Sequence, residues 1–116
     1  MVNVVTTHLK AGRGFGKMRI TQANQLVDKF SSLPNLILAG DINDEPDSKA
    51  LSQLKPVFNQ ATQMAFGADY DFTTWKYRAG TGDQIRTIDY VFTSKVNGSD
   101  FGITGVHRYL AMPHRR

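Results

Sequence analysis

Val2 to Leu9 divides into two faces at a period of two. Val2, Val4, Thr6 and His8 share one phase; Asn3, Val5, Thr7 and Leu9 share the other. A period of two predicts a strand. After a glycine-rich stretch, Ala11 to Gly16, the period changes. Ile20, Ala23, Leu26, Val27 and Phe30 fall at helical spacing, so Lys17 to Phe30 reads as an amphipathic helix that Ser31 to Pro34 ends. Leu36 to Ala39 is an unbroken apolar run with the length of a buried strand. Strand, helix and strand in this order form a β-α-β unit. Asp47 is placed to cap a short helix through Leu54, which Pro56 closes. Phe72 to Tyr77 is strand-like. Thr87 to Ser94 alternates, with Ile88, Tyr90 and Phe92 on one face and Asp89 and Val91 on the other. Phe101 to Tyr109 reads as a further strand. The expected fold class is α/β, a sheet flanked by helices.

Composition narrows the picture. At 116 residues the chain holds one core, not two. Hydrophobic residues make up 41% and charged residues 21%, an ordinary globular balance that excludes disorder as the general state. There is no apolar run long enough to predict a membrane span, and Met1 to Val5 does not read as a signal peptide. The lack of cysteine excludes disulfides and thiolate metal sites, and fits a reducing, cytoplasmic setting. The net charge of +4 is unevenly spread. Lys10, Arg13, Lys17 and Arg19 precede the first acid, Asp28; Lys76, Arg78 and Arg86 form a second group; Arg108, Arg115 and Arg116 form a third. Such clusters suit phosphates or nucleic acid, and equally a solvated basic surface.

Four places carry candidate chemistry. The buried run ends at Gly40, and Asp41 and Asn43 follow at once. A carboxylate and a carboxamide at the end of a buried strand suit a water nucleophile, a phosphate oxygen or a metal ion. The same pair suits an Asx turn or a helix cap. His8 ends the first strand, where an imidazolium would stabilise a phosphoryl oxygen, and Lys10 shares its phase. Asp89 is a lone carboxylate in an apolar strand, so burial demands a partner: a histidine, an arginine or a metal. In Thr73-Thr74-Trp75-Lys76-Tyr77-Arg78, Trp75 or Tyr77 could stack on a base while Lys76 and Arg78 contact phosphates; Trp75 could equally be a core residue. Gly12 to Gly16 lacks the Gly-Lys-Ser/Thr ending of a nucleotide phosphate loop.

Five segments, taken in order, resemble the endonuclease/exonuclease/phosphatase superfamily. They are Thr7-His8-Leu9-Lys10-Ala11, Arg19-x-x-Gln22, Gly40-Asp41-Ile42-Asn43-x-x-Pro46, Thr73-Thr74-Trp75-Lys76-x-Arg78 and Ile88-Asp89-Tyr90-Val91-Phe92. The look is closest to the branch of CCR4-type deadenylases and nocturnin-like enzymes. The resemblance implies part of a four-layered α/β sandwich and a phosphodiesterase or phosphatase-type hydrolase. It implies magnesium, or manganese, and attack of water on phosphorus in poly(A) RNA or a nucleotide. In this comparison Asp41 activates the water and touches the metal, Asn43 contacts phosphate, and His8 contacts the phosphate or transition state. Asp89 is similar to a carboxylate that pairs with a C-terminal histidine. Lys76 and Arg78 match a substrate-binding basic pair, with Lys10 and Trp75 beside them as further substrate contacts.

The departures from the family pattern shape the expectation. The only glutamate, Glu45, does not match the family's metal-binding glutamate motif. His114 follows Pro113 where the family has Ser-Asp-His. Residues 1–116 therefore read as a single partial domain cut at both ends. Half of a two-sheet sandwich exposes an apolar sheet face, which predicts either self-association or repacking around a smaller core. Two alternatives stand beside the hydrolase: a binding module for RNA or nucleotide without turnover, and another phosphoesterase branch acting on inositol phosphates or sphingomyelin.

Overall fold

The computed structural model describes residues 1–61, 63 and 72–95. Strand β1 (Asn3–His8) leads through a short 3-10 turn (Arg13–Phe15) into helix α1 (Gly16–Phe30). Strand β2 (Leu36–Asp41), helix α2 (Lys49–Leu54) and the short strand β3 (Phe58–Gln60) follow. Strands β4 (Thr74–Arg78), β5 (Gly82–Arg86) and β6 (Asp89–Ser94) complete the described chain. The expected strand from Phe101 to Tyr109, His114 and the basic tail lie outside the described residues.

The main sheet has the order β1-β2-β6-β3. β1 and β2 run parallel, as the β-α-β pattern requires, and β6 pairs antiparallel with both β2 and β3. β4 and β5 form a separate two-stranded ribbon. Neither β3 nor β5 has a clear sequence signature. β3 is three residues long, too short for a period to register, and Gly-Asp-Gln-Ile-Arg in β5 does not alternate. The ribbon turn uses Gly80 and Gly82 at positive φ, the chemistry a tight reversal needs.

Both helices cover one face of the main sheet. Leu36 and Leu38 of β2, Phe58 of β3, and Tyr90 and Phe92 of β6 are buried there against Ala23 of α1 and Ala50, Leu51 and Leu54 of α2. Val5 of β1 and Ile20, Leu26, Val27 and Phe30 of α1 pack around them. The helical spacing thus points inward as expected. The cap of α2 differs from expectation: Ser48, not Asp47, holds that position, its hydroxyl accepting from the Leu51 amide. One residue decides which oxygen reaches the first turn, and Asp47 lies one step too early.

The opposite face is open at Val4 and Val91 among the described residues, while Thr93 on the same face is buried. It is built from cross-strand rows set by register: Val4 beside Ile37 beside Thr93, then Thr6 beside Ala39 beside Val91. Val4 is 65% exposed and Val91 43% exposed. An exposed apolar strip of this kind marks a surface for association.

Candidate active site

The last row on the face opposite the helices holds the chemistry. His8 lies in register with Asp41, and Asp41 lies in register with Asp89. Three residues far apart in sequence therefore meet across three adjacent strands. Two of them, His8 and Asp41, end the parallel strands β1 and β2, the end at which open α/β sheets gather their reactive groups. His8 Nε2 is 3.6 Å from Asp41 Oδ2, with the imidazole 71% exposed. Asp41 Oδ1 accepts the Asn43 amide at 2.8 Å. Asp89 accepts from the Thr74 hydroxyl at 3.2 Å. Its demand for a partner is met by that hydroxyl rather than by a histidine or arginine among the described residues.

The turn after β2 is as defined as the strand. Gly40 has φ +157°, and any Cβ there would run into the Thr7 carbonyl of the adjoining parallel strand. Asn43 takes φ 56°, a left-handed value that asparagine tolerates, and its Nδ2 donates to the Leu9 carbonyl at 2.7 Å. The Asx turn and the chemical reading of Asp41 and Asn43 are thus not exclusive: the turn holds the carboxylate at the end of the row.

The following two residues tie the neighbouring elements together. Asp44 Oδ2 accepts from Arg19 Nε at 2.8 Å, and the Asp44 carbonyl lies 2.9 Å from the Tyr90 hydroxyl. Arg19 is 6% exposed, and its Nη1 donates to the carbonyls of Lys10 at 2.9 Å and Gly12 at 2.7 Å. Gln22 accepts the Lys10 amide at 3.0 Å. The Arg19-x-x-Gln22 motif therefore locks the loop after β1. Glu45 accepts from Arg86 Nε and from the Thr87 amide, both at 3.2 Å, at the base of the ribbon.

A cleft of about 700 Å³ opens beside this turn. On the loop side it is lined by Ala11, Gly12, Arg13 and Arg19, on the β2 side by Asn43 and Asp44, and on the ribbon side by Thr74, Lys76, Arg78, Gln84 and Arg86 among others. The ribbon register explains the last set. Thr74 opposes Arg86 and Lys76 opposes Gln84, so these side chains share one face with Arg78. Trp75 opposes Ile85 and Tyr77 opposes Asp83 on the other face. Trp75 meets Phe72 edge-on at 6.0 Å, and its indole Nε1 is buried without a hydrogen-bond partner among the described residues. The cations and the tryptophan, adjacent in sequence, thus face opposite ways. Lys10 also stands apart from the cleft lining: its ammonium lies 4.6 Å from the Phe15 ring centroid.

Sequence reasoning named Arg13 and Arg86 only as members of basic clusters, and Arg19 only there and in the Arg19-x-x-Gln22 motif. It missed the bridging contacts of Asp44, Glu45 and Tyr90. Arg19 did carry a signal, since it lies four residues before Ala23 on the inward side of α1. The others depend on loop geometry. As a magnesium site the described residues fall short. Magnesium takes carboxylate oxygens in an octahedral shell, and Asp41 and Asp89 are the two carboxylates in the row. Among the described residues no three His, Asp or Glu side chains are grouped to hold a metal ion.

Comparison with known proteins adds an independent line. Nocturnin of Xenopus laevis is 30% identical over 100 residues, covering 77% of this chain and 26% of that protein. Human nocturnin is 30% identical over 105 residues, covering 79% of this chain and 24% of that protein. The chain therefore spans about a quarter of the length of the curated relatives it matches. The solved human nocturnin catalytic domain with bound sulfate anion superposes with a TM-score of 0.62 at 25% identity, over 79% of this chain and 35% of that one. No family model matches the sequence. The α/β fold is that of the nocturnin catalytic domain, and the chain belongs to the nocturnin-like, CCR4-type branch of the endonuclease/exonuclease/phosphatase superfamily.

Proposed function

We propose that this chain carries the water-positioning and phosphate-binding part of a deadenylase-related phosphoester hydrolase. Its substrate is the 3′ end of poly(A) RNA or a phosphorylated nucleotide, and its cofactor is magnesium, with manganese as the substitute. The observation that carries this reading is the register row of His8, Asp41 and Asp89 near a cleft faced by Lys76, Arg78 and Arg86.

Each group has a task in this reading. Asp41 Oδ1 is held by the Asn43 amide, which leaves Oδ2 to accept from and orient an attacking water. His8, 3.6 Å from that carboxylate, faces the charge that develops on a phosphoryl oxygen. Asn43 lines the cleft, its Nδ2 donating to the Leu9 carbonyl, and contacts phosphate. Lys76 and Arg78 anchor further phosphates by charge-assisted hydrogen bonds. No step is routed through a metal ion, because the described residues do not assemble a centre for one.

The test is a turnover assay with oligoadenylate and with a phosphorylated dinucleotide, in magnesium and in chelator. Magnesium-dependent release of AMP or phosphate is expected, and Asp41→Ala abolishes it; an Asp41→Ala protein that retains the parent rate refutes the assignment. The lack of a metal-ligand cluster among the described residues favours one second reading, a binding module without turnover. Salt-sensitive oligoadenylate binding with no product in any arm selects that reading instead.

A further inference from the structure

We propose that Arg19 is a positioning residue for the cleft, acting through the loop that carries Arg13. The proposal rests on the phosphate-binding reading above. Consecutive residues 43, 44 and 45 each reach a different element: Asn43 the end of the β1 strand segment at Leu9, Asp44 helix α1 through Arg19, and Glu45 the ribbon base through Arg86 and Thr87. Arg19 is the one of these partners that also holds the loop after β1, by the carbonyls of Lys10 and Gly12. A planar guanidinium with donors in a fixed fork can satisfy a carboxylate and two carbonyls at once, which an ammonium on a flexible stem cannot hold in the same geometry.

The loop so held leads directly to Arg13. Gly12 takes φ 108°, and the 3-10 turn begins at the next residue. Fixing the Gly12 carbonyl therefore fixes where Arg13 starts. Arg13 lines the loop side of the cleft while Lys76, Arg78 and Arg86 line the ribbon side. A ligand with two or more phosphates meets cations from both sides only if the two sides keep their spacing. Arg19 bonds the loop side to Asp44, and the adjoining Glu45 bonds the ribbon side. Arg19, itself on the cleft wall, is thus the mechanical link between two sets of cations, its guanidinium occupied by Asp44 and the two carbonyls.

The experiment is a double-mutant cycle on the purified chain, with fluorescein-labelled oligoadenylate as the probe and anisotropy as the readout. Arg19→Lys keeps the charge and loses the fork. It is expected to weaken binding about tenfold, as Arg13→Ala does, and the double variant is expected to lose no more than either alone. Additive losses, or wild-type affinity in Arg19→Lys, overturn the proposal. Lys76→Ala is the control for the underlying reading, since it removes a direct contact and leaves the loop alone. Amide hydrogen exchange gives a second measurement that needs no ligand. Arg19→Lys is expected to speed exchange at residues 11–13 and also at Asn43 and Thr87, with the core amides of β2 unchanged. If oligoadenylate binds to no variant, the phosphate-binding reading fails, and the exchange data still decide the link. Faster exchange confined to residues 11–13 overturns it.

Discussion

Gly40→Ala isolates the backbone of the candidate site from its chemistry. The Cβ it adds points at the Thr7 carbonyl, inside the parallel pairing of β1 and β2, where neither strand can retreat without breaking ladder hydrogen bonds. Overpacking against a rigid neighbour costs about 1–3 kcal/mol. The φ of +157° that alanine would inherit adds to this, and strained backbone conformations cost about 1–3 kcal/mol. A loss of about 3 kcal/mol is therefore expected, a large share of the roughly 5–15 kcal/mol that holds a domain together. Urea unfolding followed by Trp75 fluorescence reads this directly. With a urea dependence of about 1.5 kcal/mol per molar, the midpoint falls by about 2 M. Gly14→Ala is the control: an added Cβ there has nothing within 4 Å, so its midpoint stays near that of the parent. A Gly40→Ala midpoint within about 0.3 M of the parent would refute the close approach of β1 to β2 at this row.

Three further outcomes follow from the geometry. Lys76→Ala and Arg78→Ala each weaken oligoadenylate binding, and each lowers the salt dependence of binding by about one unit of slope, measured by anisotropy over a salt series. Trp75→Leu, on the other face of the ribbon, leaves that affinity and slope unchanged; a loss equal to that of Lys76→Ala would show the tryptophan to be a stacking platform after all. Val91→Lys places a charge on the exposed part of the sheet face opposite the helices. It removes the concentration-dependent association expected of the parent in sedimentation velocity, and persistence of that association would locate the contact elsewhere.

Much of this protein is written locally in its chain. The period of two from Val2 to Leu9, the helical spacing from Ile20 to Phe30 and the apolar run from Leu36 define β1, α1 and β2, because period and run length are properties of neighbours along the backbone. The candidate residues His8, Asp41, Asn43 and Asp89 were also legible, as polar side chains where an apolar pattern stops or is interrupted. Three things were decided only by the tertiary structure. Strand register set His8, Asp41 and Asp89 in one row, and no local pattern specifies register between strands separated by a helix, or by a helix and three further strands. Pairing of β4 with β5 turned Lys76 and Arg78 to the cleft and Trp75 away, a separation that follows from the pleat but means something only once one face has a cleft before it. Arg19 gained its task from two carbonyls and a carboxylate that come together only when two loops close. A buried guanidinium is stable only where its donors are met, and what meets them here lies 9, 7 and 25 residues away along the chain.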